Sequence, residues 1–491
     1  MAITVGLDFG THQTKICIEN SDSPLHKTYE FYEWEEGVYA FPSIIQINKD
    51  HTIRYGSIDL NTCLVARKKK IQSHPGNLIL PTQPLAPKIS EVEQCSSLKN
   101  KTVEQYKRLV YQYEKNLKKW EIECERIRKN YAFRQKQYED SLIEYPLIYR
   151  YFKQATFSAY IWDYEIKPQD LTVLYLAYII FRLEERFGTD FSIQMGIPAS
   201  KLTFNRLKPY ASGYLIQAIR LVEEIFKNDF EKFLSTPYEE LLSMIPKYEY
   251  SEDLKTQYGL IILPEAYAAL RSLTANSRIP RGMSIMLDIG GGTTDISFFV
   301  IEDNGEPHIY HFESINKGLN FFIEYEDRHN FKTVDFSKKK ELEEIPLHIF
   351  HKAFNEFKGH IDKVIKDLTD YLHKDTISRG FIKSAFRDAV SNRPAIYTGG
   401  GCYDSYMRKS ILDFSDVIYI DKKILGIPNV VNETQVTIPY SLMSTAFGLS
   451  IQRLDDEITV SNKEDLFAKY TNVNEEYSRW KAHREHGMYE D

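Results

Sequence analysis

Glycine is scarce in this chain. There are 23 among 491 residues, against a usual share of about 7%. Eight of them fall in three short places: Gly6 with Gly10, Gly290 to Gly292, and Gly399 to Gly401. A chain that uses glycine sparingly and then clusters it is bringing backbone close to something. Cysteine is scarcer, with five residues, no CxxC pair and an odd number. That excludes a disulfide framework and a zinc ribbon and fits a reducing compartment. No Gly-Lys dipeptide occurs, so a P-loop cannot be present. The longest uncharged apolar run, Leu171 to Phe181, is too short to cross a bilayer. Basic excess is absent too: the formal charge of -7 argues against general nucleic-acid affinity. No basic n-region or cleavage site opens the chain, so no signal peptide and a cytoplasmic location are expected. The length calls for at least two domains.

What is present repeats. Residues 284 to 299 read SIMLDIGGGTTDISFF, and the chain opens with a related pattern, ITVGLDFGTHQTKICI. At an offset of 280, Leu7, Asp8, Phe9, Gly10, Thr14 and Ile16 meet Leu287, Asp288, Ile289, Gly290, Thr294 and Ile296. Each stretch predicts strand, tight turn, strand, a repeat at the scale of a domain. A glycine-bearing hairpin tip lets backbone N–H groups converge on a phosphate. A carboxylate ending the preceding strand holds Mg²⁺ through water. Two such hairpins predict two similar domains facing across a cleft, with a triphosphate between them. The third cluster, PAIYTGGGCYDSYMRKSIL, predicts a strand, three glycines and a helix from about Asp404. It suits a nucleotide contact at a helix N-terminus and equally a plain strand-to-helix turn.

These motifs resemble the actin-like ATPase superfamily, and the second hairpin most closely resembles the heat-shock protein 70 branch. GLDFGTHQTKICI, LDIGGGTTDIS and TGGG look like its two phosphate motifs and its adenosine motif. FSIQMGIPAS, ILPEAYAALRSL and SLMSTAFGLSI resemble a core strand and the two connecting helices, so the likeness covers about residues 1 to 455. It implies an α/β fold with a duplicated ribonuclease H-like architecture, two lobes around a nucleotide cleft and a long helical insertion. The implied domain I core comprises 1–40, 146–283 and 441–455, with an outer lobe at 41–145. Domain II would comprise 284–318 and 391–440, with a helical outer lobe at 319–390, leaving 456–491 as a polar tail.

Carried over residue by residue, the resemblance implies ATP/ADP and Mg²⁺ as ligands, with Asp8 and Asp288 organising the metal. Gly10, Thr11, His12 and Gln13 would line the first phosphate site. Gly290, Gly291, Gly292 and Thr293 would line the second, with Thr293 facing the γ-phosphate. Lys153, in YRYFKQATF, stands where the family carries a catalytic lysine. Gly399, Gly400, Gly401 and Tyr403 would approach the adenosine, Tyr403 standing where the family has an arginine. A second departure is Leu263 where the family has a glutamate before Pro264; Glu265 follows the proline instead and is the candidate for its role.

From Lys99 to Tyr145 there is neither Gly nor Pro. Val103, Tyr106, Val110, Tyr113, Leu117, Trp120, Cys124, Ile127 and Tyr131 recur at spacings of three and four, a heptad seam. Thr102 with Gln105 reads as a capping box and Pro146 as the stop. A helix over 103–145 spans about 65 Å and either packs on its own domain or docks a partner. Residues 211–245 and 346–391 read as amphipathic helices. The polar tail cannot form a β-sandwich such as the family's peptide-binding domain. The expected function is an ATP-binding, slowly ATP-hydrolysing, chaperone-like switch acting on a partner protein through the 103–145 helix or the outer lobes. No membrane and no general nucleic-acid binding are expected, and self-association is open. A filament-forming cytoskeletal ATPase, a sugar-type kinase and a hydrolysis-dead nucleotide binder remain as alternatives.

Overall fold

The computed structural model describes residues 2–23, 26–57, 74–87, 99–141, 146–200, 202–274, 282–301, 307–323, 325, 347–377, 395–403, 417–419, 427, 429–436, 438–453 and 458. It is mixed α/β. In chain order the first half forms β1 (Ala2–Phe9), β2 (Gln13–Ser23), β3 (His26–Phe31), β4 (Phe41–Pro42), β5 (Ile45–Ile47) and β6 (Ile53–Tyr55). There follow α1 (Lys99–Ser141), β7 (Leu147–Tyr149), α2 (Phe152–Phe157), α3 (Pro168–Phe187), β8 (Ser192–Ile197) and α4 (Phe204–Arg220). Next come α5 (Phe230–Ser235), α6 (Tyr238–Met244), α7 (Glu252–Gln257), β9 (Leu260–Pro264) and α8 (Glu265–Thr274). The remainder forms β10 (Gly282–Ile289), β11 (Thr294–Ile301), β12 (Pro307–Ile315), α9 (Leu319–Ile323), α10 (Leu347–Ile377), β13 (Ala395–Thr398), β14 (Val417–Tyr419) and α11 (Tyr440–Ser450).

Two sheets repeat one plan. The first runs β3-β2-β1-β8-β9, with β4 added beside β2, and the second runs β12-β11-β10-β13-β14. In each, the first three strands are antiparallel and the last three parallel. The hairpin registers agree as well: Asp8 pairs with Lys15 and Phe9 with Thr14, while Asp288 pairs with Asp295 and Ile289 with Thr294. The sequence offset of 280 therefore survives as a structural equivalence of both hairpins. A small third sheet, β6-β5-β7, is antiparallel.

Strand alternation decides which side chains reach the cleft. On β1, Gly6 faces α11, where an added Cβ would lie 2.2 Å from the Ser450 nitrogen. Phe9 points to the opposite face and stacks on Tyr175 of α3, with ring centroids 5.5 Å apart. Asp8, in phase with Gly6, therefore projects on the α11 side. Behind Phe9 the core is strongly aromatic: Phe152, Phe41, Tyr178, Tyr55 and Phe233 continue the cluster. Each fully buried ring contributes about 1.5–3 kcal/mol of transfer free energy.

The chain divides into two compact units. One comprises Met1–Ala66, Tyr145–Trp162 and Ile166–Asp491; the other comprises Arg67–Glu144 and Asp163–Glu165. In the second unit, α1 runs unbroken for 43 residues. It includes Lys99, so Thr102 and Gln105 lie inside the helix and do not cap it. Part of its seam is covered by the extended segment 74–87. Trp120 Nε1 donates to the Pro81 carbonyl at 2.8 Å, Tyr131 hydroxyl to the Gly76 carbonyl at 3.1 Å, and His74 meets the Tyr138 ring edge-on. The segment thus runs antiparallel to the helix along heptad positions that a partner helix would otherwise face. Among the described residues no helix is long and apolar enough to cross a membrane.

The expected helix over 211–245 is interrupted: α4 passes into a π-helical turn, Leu221–Ile225, before α5 and α6. Of the 346–391 helix, Leu347–Ile377 is described, and the rest lies outside the described residues. So do the helix expected from Asp404 and the tail apart from residue 458.

Helices α8 and α11 cross in backbone contact. A Cβ on Gly448 would sit 1.7 Å from the Ala268 carbonyl oxygen, whereas one on Gly359 in α10 meets nothing within 4 Å. Gly448→Ala is therefore expected to cost about 1–3 kcal/mol in urea unfolding, the scale of overpacking against backbone. Gly359→Ala is expected to gain about 0.5–1 kcal/mol from helix propensity. Equal effects of the two changes would contradict the crossing.

Candidate functional site

The tips of the two hairpins meet. A Cβ on Gly291 would fall 1.6 Å from His12 Cδ2, and one on Gly292 would fall 2.6 Å from Thr11 Oγ1 and 2.8 Å from Gln154 Oε1. A side chain at either position would have to displace the side chains facing it. At Gly399 the backbone is left-handed, with φ +81, and a side chain would also strike Asp288 Oδ1 at 2.3 Å. Only glycine meets both conditions there.

Each tip has its carbonyls held by hydrogen bonds. In the first, Ser43 Oγ donates to the Gly10 carbonyl at 2.7 Å and Ser43 N to the His12 carbonyl at 2.8 Å. In the second, Leu319 N holds the Gly290 carbonyl at 3.1 Å, Asn320 N the Gly291 carbonyl at 2.8 Å, and Gln154 Nε2 the Gly292 carbonyl at 2.8 Å. A trans peptide carries its N–H opposite its C=O. With three successive carbonyls engaged in this way, each N–H of Gly291, Gly292 and Thr293 lies opposite a carbonyl that is already bonded. Successive N–H groups presented on one side form an anion-binding concavity.

Between the tips lies a cavity of about 70 Å³. It is lined by Asp8, Gly10, Thr11, His12 and Gln13 from the first hairpin and by Asp288, Gly290, Gly291, Gly292 and Thr293 from the second. Lys153 and Glu265 enter from α2 and α8, and Gly399 with Gly400 from the loop after β13. Of the other two expected site residues, Gly401 packs on Ile289, where a Cβ would meet Cγ2 at 2.3 Å. Tyr403 ends a short 3-10 turn, Gly400–Tyr403, and its side chain lies outside the described residues.

The charges form two pairs and two uncompensated acids. Lys15 Nζ bridges Asp8 Oδ2 at 2.6 Å across the first hairpin, and buried Lys153 bonds Glu265 Oε1. The second hairpin has Asp295 where the first has Lys15, so Asp288 faces a like charge across its own pair. Burial, then the Asp8 and Glu265 carboxylates, raise the Asp288 carboxyl to about 7. Burial, then Glu265 and Asp288, hold Asp295 well above the usual carboxylate range. Burial likewise raises Glu265, against the pull of Lys153. His12 moves oppositely: burial first, then the Arg150 guanidinium, lower its imidazole to about 3. It is a neutral spacer between the tips at physiological pH.

A divalent cation fits this donor set. Asp8 and Asp288 come from opposite hairpins and repel one another, and Asp295 Oδ1, buried in the wall, has no hydrogen-bond partner among the described residues. No group of three or more His, Cys, Asp or Glu forms a direct ligand shell among the described residues. An ion held largely through water, such as Mg²⁺, needs only one or two carboxylates.

Lys15, Asp295 and Thr445 also line the cavity and were missed in the sequence. For Lys15 and Asp295 the signal existed, since both lie seven residues after the aspartate of their hairpin and pair across the strand. Thr445, which donates to Asp288 Oδ2 at 3.1 Å, carried none. No protein-family model matches the chain, and a search of curated proteins finds no match.

An acid whose pKa is higher folded than unfolded favours the fold when protonated. The contribution of Asp288 is therefore full below about pH 4 and is lost as pH rises toward 7. Thermal melts of the ligand-free protein should show Asp288→Asn gaining stability relative to wild type across that window, by about 2–4 kcal/mol at its upper end. A difference that does not vary with pH would contradict the assignment.

Proposed function

We propose that the chain is a Mg²⁺-dependent ATPase of the actin-like superfamily, of the heat-shock protein 70 type, which acts as a conformational switch on a partner protein. The duplicated sheet order, with a Gly-rich hairpin at the same place in both copies, is the observation that carries this reading. In it, the two hairpins grip the phosphates and the helices α8 and α11 form the hinge between two lobes. Lys15, beside Asp8, and Lys153, beside Glu265, are the cations available to phosphate oxygens. Mg²⁺, when bound at Asp8 and Asp288, supplies charge neutralisation at the phosphates.

The chain's own groups account for the rest. The N–H groups of Gly291, Gly292 and Thr293 bind phosphate oxygens, and fixed dipoles of this kind stabilise developing charge without reorganising. Glu265, the first residue of α8, supplies the carboxylate that Leu263 cannot. Its raised pKa makes it a stronger base than a solvated glutamate, suited to accept the proton of an attacking water. Lys153 holds that carboxylate in position. Proton removal by Glu265 and charge relief by Lys153 act at the same γ-phosphate, and loss of that phosphate releases one side of the grip. The adenosine would lie toward Gly399 to Gly401. The partner would read the lobes or the part of α1 left uncovered, where Tyr111, Ile122 and Phe133 are exposed.

Phosphate release from Mg-ATP with no acceptor added tests this directly. Slow turnover is expected, reduced about 10²-fold in Lys153→Ala and in Glu265→Gln, the scale of removing one catalytic contact. ATP affinity should change far less. Because Lys153→Ala strands a buried carboxylate, the double variant should be more stable than the lysine variant alone. Release that is absent in wild type, or unchanged in both variants, would sink the hydrolytic assignment.

A further inference from the structure

The two anion cradles differ in one respect. Ser43, which holds the first tip, belongs to the same half of the molecule as that tip. The first two supports of the second tip, Leu319 and Asn320, also come from its own half. The third does not: the Gly292 carbonyl is held by Gln154, on α2 of the first half and next in sequence to Lys153.

Gln154 is 2% exposed and its amide is fully engaged. Nε2 donates to the Gly292 carbonyl and to Asn316 Oδ1, both at 2.8 Å, and Oε1 accepts from Asn320 Nδ2 at 2.7 Å. Asn316 Nδ2 returns the contact by donating to the Ala159 carbonyl at 2.7 Å. The partners fix the amide orientation, because a flip would set its oxygen against two acceptors. All four bonds cross from one half to the other. On its far side the cluster borders a second cavity, lined by Gln154, Asn316 and Asn320 with Tyr160, Phe321 and Tyr325. That cavity is open to water, so the bonds can be exchanged for water when the halves part, without stranding buried polar groups.

We propose that Gln154 is a positioning residue that makes the second anion cradle conditional on closure. With the halves together, its amide pins the Gly292–Thr293 peptide and aligns the Thr293 N–H with its two neighbours. With the halves apart, the third donor of the cradle loses its support while the first two keep theirs. The anion that binds there therefore stabilises closure through one peptide bond, and the helix carrying Lys153 arrives with the same contact. This rests on the nucleotide reading only for the identity of the anion.

Gln154→Ala and Gln154→Glu test it, the second keeping size while replacing the donor with an acceptor. Amide hydrogen exchange at Thr293 in the nucleotide-free protein should speed at least about tenfold in both variants, with exchange at Gly291, Gly292, β10 and β11 unchanged. Calorimetry should show Mg-ATP affinity falling about tenfold, the scale of one buried hydrogen bond, and Mg-ADP affinity by less than about twofold. Unchanged exchange at the tip overturns the proposal. So does an equal loss for ATP and ADP accompanied by a lowered Tm, which would mark a structural role alone. If wild type binds neither nucleotide, the nucleotide reading falls, and the exchange result still decides the role of Gln154.

Discussion

The close approach of two hairpin tips is the constraint on which the rest of the site depends. A Cβ on Gly291 would strike the His12 ring, and one on Gly292 would strike the Thr11 hydroxyl, unless those side chains moved. Everything that lines the cavity between them is brought into a small space. Four carboxylates and two lysines are enclosed there together, so the acids cannot all carry full charge. Burial first, and then the neighbouring carboxylates, raise the pKa values of Asp288, Asp295 and Glu265. A pocket in this condition gains from a cation between the acids and from an anion that draws the lysines away from them, which is what a metal–phosphate ligand supplies.

The two hairpins differ in how their acids are compensated. Both hairpins share their register, yet the position opposite the aspartate is Lys15 in one and Asp295 in the other. The first copy neutralises its own acid, while the second leaves it exposed to repulsion. Helix α11 mediates between the copies. It packs on β1 at Gly6 and reaches Asp288 through Thr445, and Thr398 at the end of β13 bonds the Ser441 carbonyl. Helix α11 thus contacts both sheets and one of the acids.

Much of this was legible in the sequence, for identifiable reasons. Hairpin strands and tips are local, so apolar alternation around Asp8 and Asp288 was enough to predict both and their equivalence. Lys153 and Glu265 could be named only by resemblance; their pairing joins residues far apart in the chain, and no periodicity encodes it. Gln154 was invisible because its role depends on which carbonyl it faces across the cleft. The seam of α1 was read correctly as a helix face, but its cover was not, since segment 74–87 is extended and has no periodic signal. The capping box at Thr102 failed because a two-residue motif is easily matched inside a helix that starts earlier.

The central claim is that both hairpins hold one metal-bound phosphate group. Calorimetric titration with ATP, in Mg²⁺ and then in EDTA, tests it most directly when repeated on Asp8→Asn and Asp288→Asn. Binding that requires Mg²⁺ and weakens in both variants, one from each hairpin, is the predicted result. No binding in either condition, or equal binding with the metal removed, would contradict the account.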